Sequence, residues 1–230
     1  MKQLGDQINC AREEKMSDTA VMFFKPEFTL ADRTKLTPII RKYLTAFNLT
    51  IENTCEVGSR EAKTDLFDRI YSRLLENARR QLEHGYIGAF AYLASQPGAT
   101  DEHLFKEWVS PTNPALRLGD DNYYQQRDNL LVLNPFCPYQ RKLFTESASP
   151  VHLFLLRKHG DLSWSEIKPL FQGQPVQSGG DRKGIRSHLS QCSWYTPTTN
   201  GLHLSASVDD AARETREVME FFTHNNLQSL

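Results

Sequence analysis

The sequence predicts an α/β fold of the α+β sandwich kind. Two observations carry this expectation. The first is an early run of strand, helix and strand in which only a short loop separates the helix from the second strand. The second is the return of a dense apolar strand signal at 151–156, ahead of further helical segments. A helix joined to its strands by short loops buries its apolar stripe against the sheet those strands form, so the helices lie on a sheet face.

The elements follow in order. Residues 1–17 are polar and mixed in charge and read as a flexible leader. A strand covers 19–25. Thr29 and Asp32 then make a capping-box pattern, in which each side chain serves the other's backbone N–H. Leu36, Ile39, Ile40, Tyr43, Leu44 and Phe47 recur at helical spacing. Leu49, Ile51, Cys55 and Val57 fall on alternate positions broken at Asn53, a strand with one weak position. From 60 to 84, Leu66, Ile70, Leu74, Ala78 and Leu82 form the stripe of a long, charged amphipathic helix. Residues 86–109 read as one or two further helices, and 110–122, with Pro111, Pro114 and Gly119, as a loop. A short helical run follows Pro138. The strand at 151–156 leads to a brief helix at 163–171 limited by Pro169, and then to a glycine-rich polar loop at 172–184. A strand within 188–204 and a final helix complete the core, and 225–230 form a tail.

Composition narrows the classes of function. At 230 residues and 26.4 kDa the chain holds one large domain or two small ones. Its apolar fraction is 39% and its mean hydropathy −0.53, the composition of a soluble chain. No apolar run reaches the roughly 20 residues that a bilayer span needs, and the best candidate, at 86–94, contains Gly88. No membrane partner is expected. The polar N-terminus does not resemble a secretion signal. Twenty-seven Lys and Arg face 28 Asp and Glu, a net charge of −1 that points neither toward nor away from nucleic acid. Cys10, Cys55, Cys137 and Cys192 show no C-x-x-C spacing, which argues against a zinc site and a disulfide-stapled domain. A cytoplasmic, reducing location is the expectation.

The most informative segment runs from Asn200 to Glu214. It places His203 just ahead of a well-marked helix start. Ser207 is a candidate N-cap, with Asp210 three residues on and two acids in the first turn. Ala211, Thr215, Val218 and Phe222 form one stripe of the helix, and Glu214 sits on its edge, placed to reach back toward His203. A histidine oriented by a carboxylate is a candidate nucleophile or proton carrier. The plainer alternative is a loop histidine ahead of a surface helix.

Together with three other segments, this one resembles the nucleoside diphosphate kinase family. Asn200-x-x-His203, then Ser205-x-Ser207 and a helix bearing Glu214, is similar to the family's active-site segment. Ala20 to Lys25-Pro26-Glu27 is similar to its first strand, whose lysine contacts the transferred phosphate. Asn134-Pro135-Phe136-Cys137-Pro138 resembles the segment leading into the helix with its base-stacking phenylalanine. Gly184-Ile185-Arg186 resembles the Gly-x-Ile-Arg ahead of the histidine strand, whose arginine lies on the phosphates. The four occur in the family's order.

The resemblance implies a ferredoxin-like antiparallel sheet with helices on its faces, built from 18–57 and 122–224, plus a mostly helical insertion at 58–121. It implies a phosphotransferase in which His203 takes the γ-phosphate of a nucleoside triphosphate as a phosphohistidine and passes it to a nucleoside diphosphate or related acceptor. His203, Glu214 and Lys25 would be catalytic. Lys25 and Arg186 would neutralise phosphates, Asn200 would contact sugar or phosphates, Phe136 would stack on the base, and Tyr123 would lie near the phosphate site. Ser205 would donate beside the histidine. The family's second phosphate-binding arginine has no counterpart here; Lys168 lies nearest, with Arg182 or Lys183 as loop substitutes. Mg²⁺ is expected with the nucleotide, held through its phosphates and not by a protein metal site. A homo-oligomer, or a protein partner reached through the insertion, completes the expected partners. Read without the resemblance, Lys25 and Arg186 are solvated charges, Asn200 is a turn residue, Phe136 is core and Ser205 is a capping hydroxyl.

The sequence departs from the family at Leu204 and Ala206, where the family has Gly and Asp. The lost carboxylate lies near the magnesium shell. These departures motivate an alternative: a catalytically weak nucleotide-binding regulator, or an interaction protein that binds its partner through the insertion. A nucleic-acid role rests only on the basic stretch 182–186 and exposed aromatics, and is disfavoured.

Overall fold

The computed structural model describes residues 18–119, 122–173 and 183–224. Along them run β1 (Thr19–Phe24), α1 (Leu30–Ala46), β2 (Leu49–Val57), α2 (Ser59–Ala62), α3 (Leu66–Ile70), α4 (Ser72–Leu82), β3 (Tyr86–Gly88), α5 (Ala89–Ser95), α6 (Asp101–Trp108) and β4 (Leu116–Gly119). There follow β5 (Asn122–Arg127), β6 (Leu130–Leu133), α7 (Pro138–Glu146), β7 (Val151–Lys158), α8 (Trp164–Phe171), α9 (Ile185–Leu189), β8 (Leu202–Leu204) and α10 (Val208–His224). The class is mixed α and β. The expected leader, 1–17, and tail, 225–230, lie outside the described residues.

The chain divides into two units, Met1–Glu61 with Ala148–Leu230, and Ala62–Ser147. The first holds a four-stranded sheet of order β2-β7-β1-β8 with every neighbouring pair antiparallel. All six residues of β1 are buried. Because strand side chains alternate, Ala20, Met22 and Phe24 face one way and Val21 and Phe23 the other. The first set joins Leu36, Ile40 and Leu44 of α1 and Trp164, Ile167 and Phe171 of α8 in one core. Both helices start on capping boxes. Asp32 N donates to Thr29 Oγ1 at 3.2 Å while Thr29 N donates to Asp32 Oδ2 at 3.1 Å, and Ser163 and Glu166 repeat the arrangement on α8. Pro169 does not limit α8, which continues through it to Phe171. In a last turn its missing N–H removes a single bond. In β2 the pairing register shifts between Ile51 and Asn53, which is where the alternation fails in the sequence. α10 packs on β1 and α8.

The second unit carries its own sheet, of order β3-β6-β5-β4, in which β3 runs parallel to β6 and the other pairs are antiparallel. Ala89, Leu104 and Val132 form one buried cluster in it, and Leu66, Phe67, Ile70 and Phe144 are buried as well. The division therefore falls at 62 and 147 and not at 58 and 121. Residues 122–147 group with the segment before them because β6 pairs with β3 and β5 with β4. Residues 58–119 are mostly helical, as expected, but also carry two strands: β3 has three residues and β4 four, too short to show a period of two. The expected long helix over 60–84 is three helices, with joints at 63–65 and at Tyr71. Tyr71 leaves helical geometry at ψ 10° and lays its ring against Phe136, with centroids 4.6 Å apart. Leu82, at the far end of the stripe, is 44% exposed. The helices expected over 86–109 are α5 and α6, preceded by β3.

In the first unit, the strand expected within 188–204 is only the three residues of β8. α9 takes 185–189, and an irregular run that includes the 194–199 segment links the two. Thr199 Oγ1 braces that run by donating to Trp194 O at 2.9 Å.

Candidate functional site around His203

Gly201 opens β8 at a φ of +72°, a conformation that favours glycine. A Cβ there would also stand 2.7 Å from Trp194 Cη2. Two residues on, His203 pairs in register with Phe23 of β1. Their rings stack with centroids 4.5 Å apart and planes 12° from parallel. The strand pairing thus fixes both the height and the plane of the imidazole.

The other half of the site comes from α10. Asp210 N donates to Ser207 Oγ at 3.1 Å and the Ser207 hydroxyl donates to Asp210 Oδ2 at 2.9 Å, so the helix starts where the sequence marks it. Two turns on, Glu214 meets the histidine: His203 Nε2 lies 2.8 Å from Glu214 Oε2. Ser205 Oγ donates to the same oxygen at 2.8 Å, and Arg213 reaches Oε1 at 3.3 Å. An ionised carboxylate only accepts, so Nε2 carries the imidazole proton and Nδ1 keeps its lone pair. Ser205 also accepts from Val21 N at 3.0 Å. Its hydroxyl serves Glu214 and β1, and reaches the histidine only through them.

Burial pushes the His203 pKa below its ordinary 6.5; Glu214 opposes this, and the charges of Lys168 and Lys25 add to it. The imidazole is therefore neutral at pH 7. Lys25, at the end of β1, is 6% exposed, and its Nζ lies 3.4 Å from Thr198 O. Lys168, half-buried on α8, is close enough for His203 to feel its charge.

Arg186 and Asn200 are bonded to each other. The Arg186 guanidinium donates to Asn200 Oδ1 at 3.0 Å, to Leu202 O at 3.0 Å and to Gly173 O at 3.1 Å. Asn200 Nδ2 donates to Pro197 O at 2.8 Å. Both side chains brace the approach to β8. Lys183 is exposed, and Arg182 lies outside the described residues.

The structure thus brings together His203, Glu214, Ser205, Lys25 and Lys168, with Arg186 and Asn200 behind them. Tyr123 and Phe136 belong to the second unit. Tyr123 is half-buried on β5, opposite Arg117. Phe136 is 5% exposed, packed by Tyr71 and Phe144 with the Arg141 guanidinium 5.3 Å above its ring. Its ring is spent on packing and not offered to a base. Three contributors were not read from the sequence. The stacking of Phe23 follows from strand pairing. Arg213 carries no pattern. Glu27, the acid of Lys-Pro-acid, accepts from Gly201 N at 3.0 Å.

Among the described residues no group of three His, Cys, Asp or Glu is placed to hold a metal ion. Cys55, Cys137 and Cys192 form no disulfide with one another; Cys10 lies outside the described residues. No helix among those residues is long and apolar enough to cross a membrane.

No protein-family model matches the chain, and no curated protein matches it. Among solved structures it is similar to the crystal structure of an NDP kinase from Pyrobaculum aerophilum, at 16% identity and a TM-score of 0.40, over 87% of this chain and 94% of that one.

Proposed function

We propose that the chain is a phosphotransferase of the nucleoside diphosphate kinase kind, with His203 as the phosphate carrier. The observation that carries this reading is the half-buried, neutral imidazole whose Nε2–H is held at 2.8 Å by Glu214, beside two lysines. The four segments that resemble the family support it. The antiparallel order β2-β7-β1-β8, with α1 and α8 in one core, is in keeping with the ferredoxin-like arrangement that resemblance implies.

In the first step His203 Nδ1 attacks the γ-phosphorus of a nucleoside triphosphate. An N–P bond forms, the bond to the bridging oxygen breaks, and the nucleoside diphosphate leaves with that electron pair. Nε2 keeps its proton throughout, and Glu214 offsets the positive charge that develops on the ring. In the second step a terminal oxygen of a diphosphate acceptor attacks the phosphorus and the N–P bond breaks. Phosphoryl transfer of this kind is governed by positioning and by positive charge around the three outer oxygens. Lys25 and Lys168 supply the charge; Arg186 and Asn200 hold the frame behind them. Mg²⁺ would come on the nucleotide and share in neutralising its phosphates. A cytoplasmic location belongs to the same proposal.

The alternative is a weak nucleotide-binding regulator. It is favoured by one observation: Lys25, Arg186 and Asn200 are all under 10% exposed and engaged with protein groups. Incubation with ATP and a panel of nucleoside diphosphates separates the two readings. We expect repeated formation of the new triphosphate, and a loss of at least about 10³-fold in His203→Ala. Full turnover by His203→Ala would sink the proposal; nucleotide binding without any turnover would transfer it to the regulator.

A further inference from the structure

The turn at Lys25-Pro26-Glu27 grips the start of β8 at two points. Lys25 N donates to Gly201 O at 2.9 Å, and Gly201 N donates to Glu27 Oε1 at 3.0 Å. Gly201 therefore spends both of its backbone polar groups on this one turn. Its φ of +72° favours glycine, and Trp194, Leu189 and Phe28 fill the space beside it where a Cβ would stand. His203 comes two residues later. The direction in which β8 leaves the clamp thus sets where the imidazole falls between Phe23 and Glu214.

Glu27 is an expensive way to make that contact. Its second oxygen, Oε2, is buried with no hydrogen-bond partner among the described residues. Burial raises the Glu27 pKa above its ordinary 4.5, against the pull of Lys25, the hydrogen bonds, and Arg186. A buried acceptor of this kind costs stability unless something is gained. What is gained is reach. Glutamate carries its carboxylate from the turn after β1 to the Gly201 amide.

We propose that Glu27 is a positioning residue for His203, holding the Gly201 peptide so that the imidazole meets Glu214 in line for phosphoryl transfer. This rests on the phosphotransfer reading above, and two separate measurements keep the two apart.

The first measures the rate at which His203 takes label from γ-labelled ATP, with ATP affinity measured alongside, in wild type and in Glu27→Ala, Glu27→Asp and Glu27→Gln. Asp keeps the charge and withdraws the oxygen by one methylene. Gln keeps the reach and removes the charge. Ala and Asp are expected to slow labelling about a hundredfold, the scale of a misplacement of about 1 Å. Affinity for ATP is expected to change by less than about threefold, because the clamp acts on the nucleophile. Gln is expected to recover most of the rate. Wild-type labelling by Ala and Asp overturns the proposal. So does Gln as impaired as Ala, or a loss confined to affinity.

The second follows the His203 ring by NMR as pH is varied, which needs no activity. In Ala and Asp the midpoint is expected to rise toward the ordinary histidine value, as the ring leaves its buried seat; in Gln it stays with the wild type. An unmoved midpoint in Ala and Asp overturns the clamp even if the enzyme is active. If wild type takes no label at all, the phosphotransfer reading falls and this titration still decides the role of Glu27. Should Ala fail to fold, Asp alone carries both tests.

Discussion

His203 is reactive in this account because of the company Glu214 keeps. The carboxylate takes Ser205 and His203 on one oxygen and Arg213 on the other. It is 4% exposed, so its charge is poorly screened by water. Glu214 is also the principal influence holding the histidine's proton affinity up against burial. Glu214→Gln is therefore expected to lower the His203 midpoint further, read by NMR of the ring, while slowing phosphate transfer. A midpoint that rises in Glu214→Gln would contradict this assignment. Much of this was legible in the residues themselves. The spacing from His203 to Glu214, with Ser207 as the cap between, places the carboxylate under the ring once α10 forms. The stacking of Phe23 was not legible, because it depends on which residue of β1 lies opposite residue 203. Phe136 shows the opposite error. Its motif suggested a base platform, but Tyr71, Phe144 and Arg141 already cover the ring.

Gly201 is where the elements meet. The irregular run after α9 ends there, β8 begins there, and the side chains of Trp194, Leu189 and Phe28 fill the space a Cβ would need. Gly201→Ala is expected to lower stability by about 1–3 kcal/mol through overpacking, with added backbone strain, measured as a fall in the urea midpoint. An unchanged midpoint would show that the run 190–200 gives way easily, and the clamp by Glu27 would lose its rigid partner. Elements with strong local signals were legible in the sequence. The capping box at Thr29 marks the start of α1, and the apolar runs of β1 and β7 are dense. The failures are short or tertiary. β3 and β4 are too brief to show a pattern, and α9 is a five-residue helix. The break at Tyr71 answers to packing against Phe136 and not to any helix-stopping residue.

As a whole, the molecule stores the neutral state of His203 as pH-dependent stability. Its folded pKa lies below the ordinary 6.5, so the unfolded chain takes up the proton first. Stability is then lost as pH falls below about 6.5 toward the folded value. Glu27 acts in the opposite sense. Its raised pKa favours the fold at low pH, and that contribution fades as pH rises through and above the ordinary carboxylate value of 4.5. Thermal melts over about pH 4–8 are expected to show the loss below 6.5 in wild type and a smaller one in His203→Ala, where His152, whose pKa burial also depresses, supplies the remainder. Melts with the same acid slope in both proteins would mean the imidazole is not held neutral by the fold. The division of the chain is the part of its organisation that the sequence disclosed least. Residues 122–147 carry a motif that resembles the core of the phosphotransferase family, yet they pair with β3 and β4 in the second unit. A covalent phosphate on His203 can be observed directly. The purified protein is incubated with γ-labelled ATP and Mg²⁺ and run on a denaturing gel under alkaline conditions, where phosphohistidine survives. Acid-labile label is expected on wild type and none on His203→Ala. Label that persists on His203→Ala, or that is absent from a wild type that binds ATP, would contradict it.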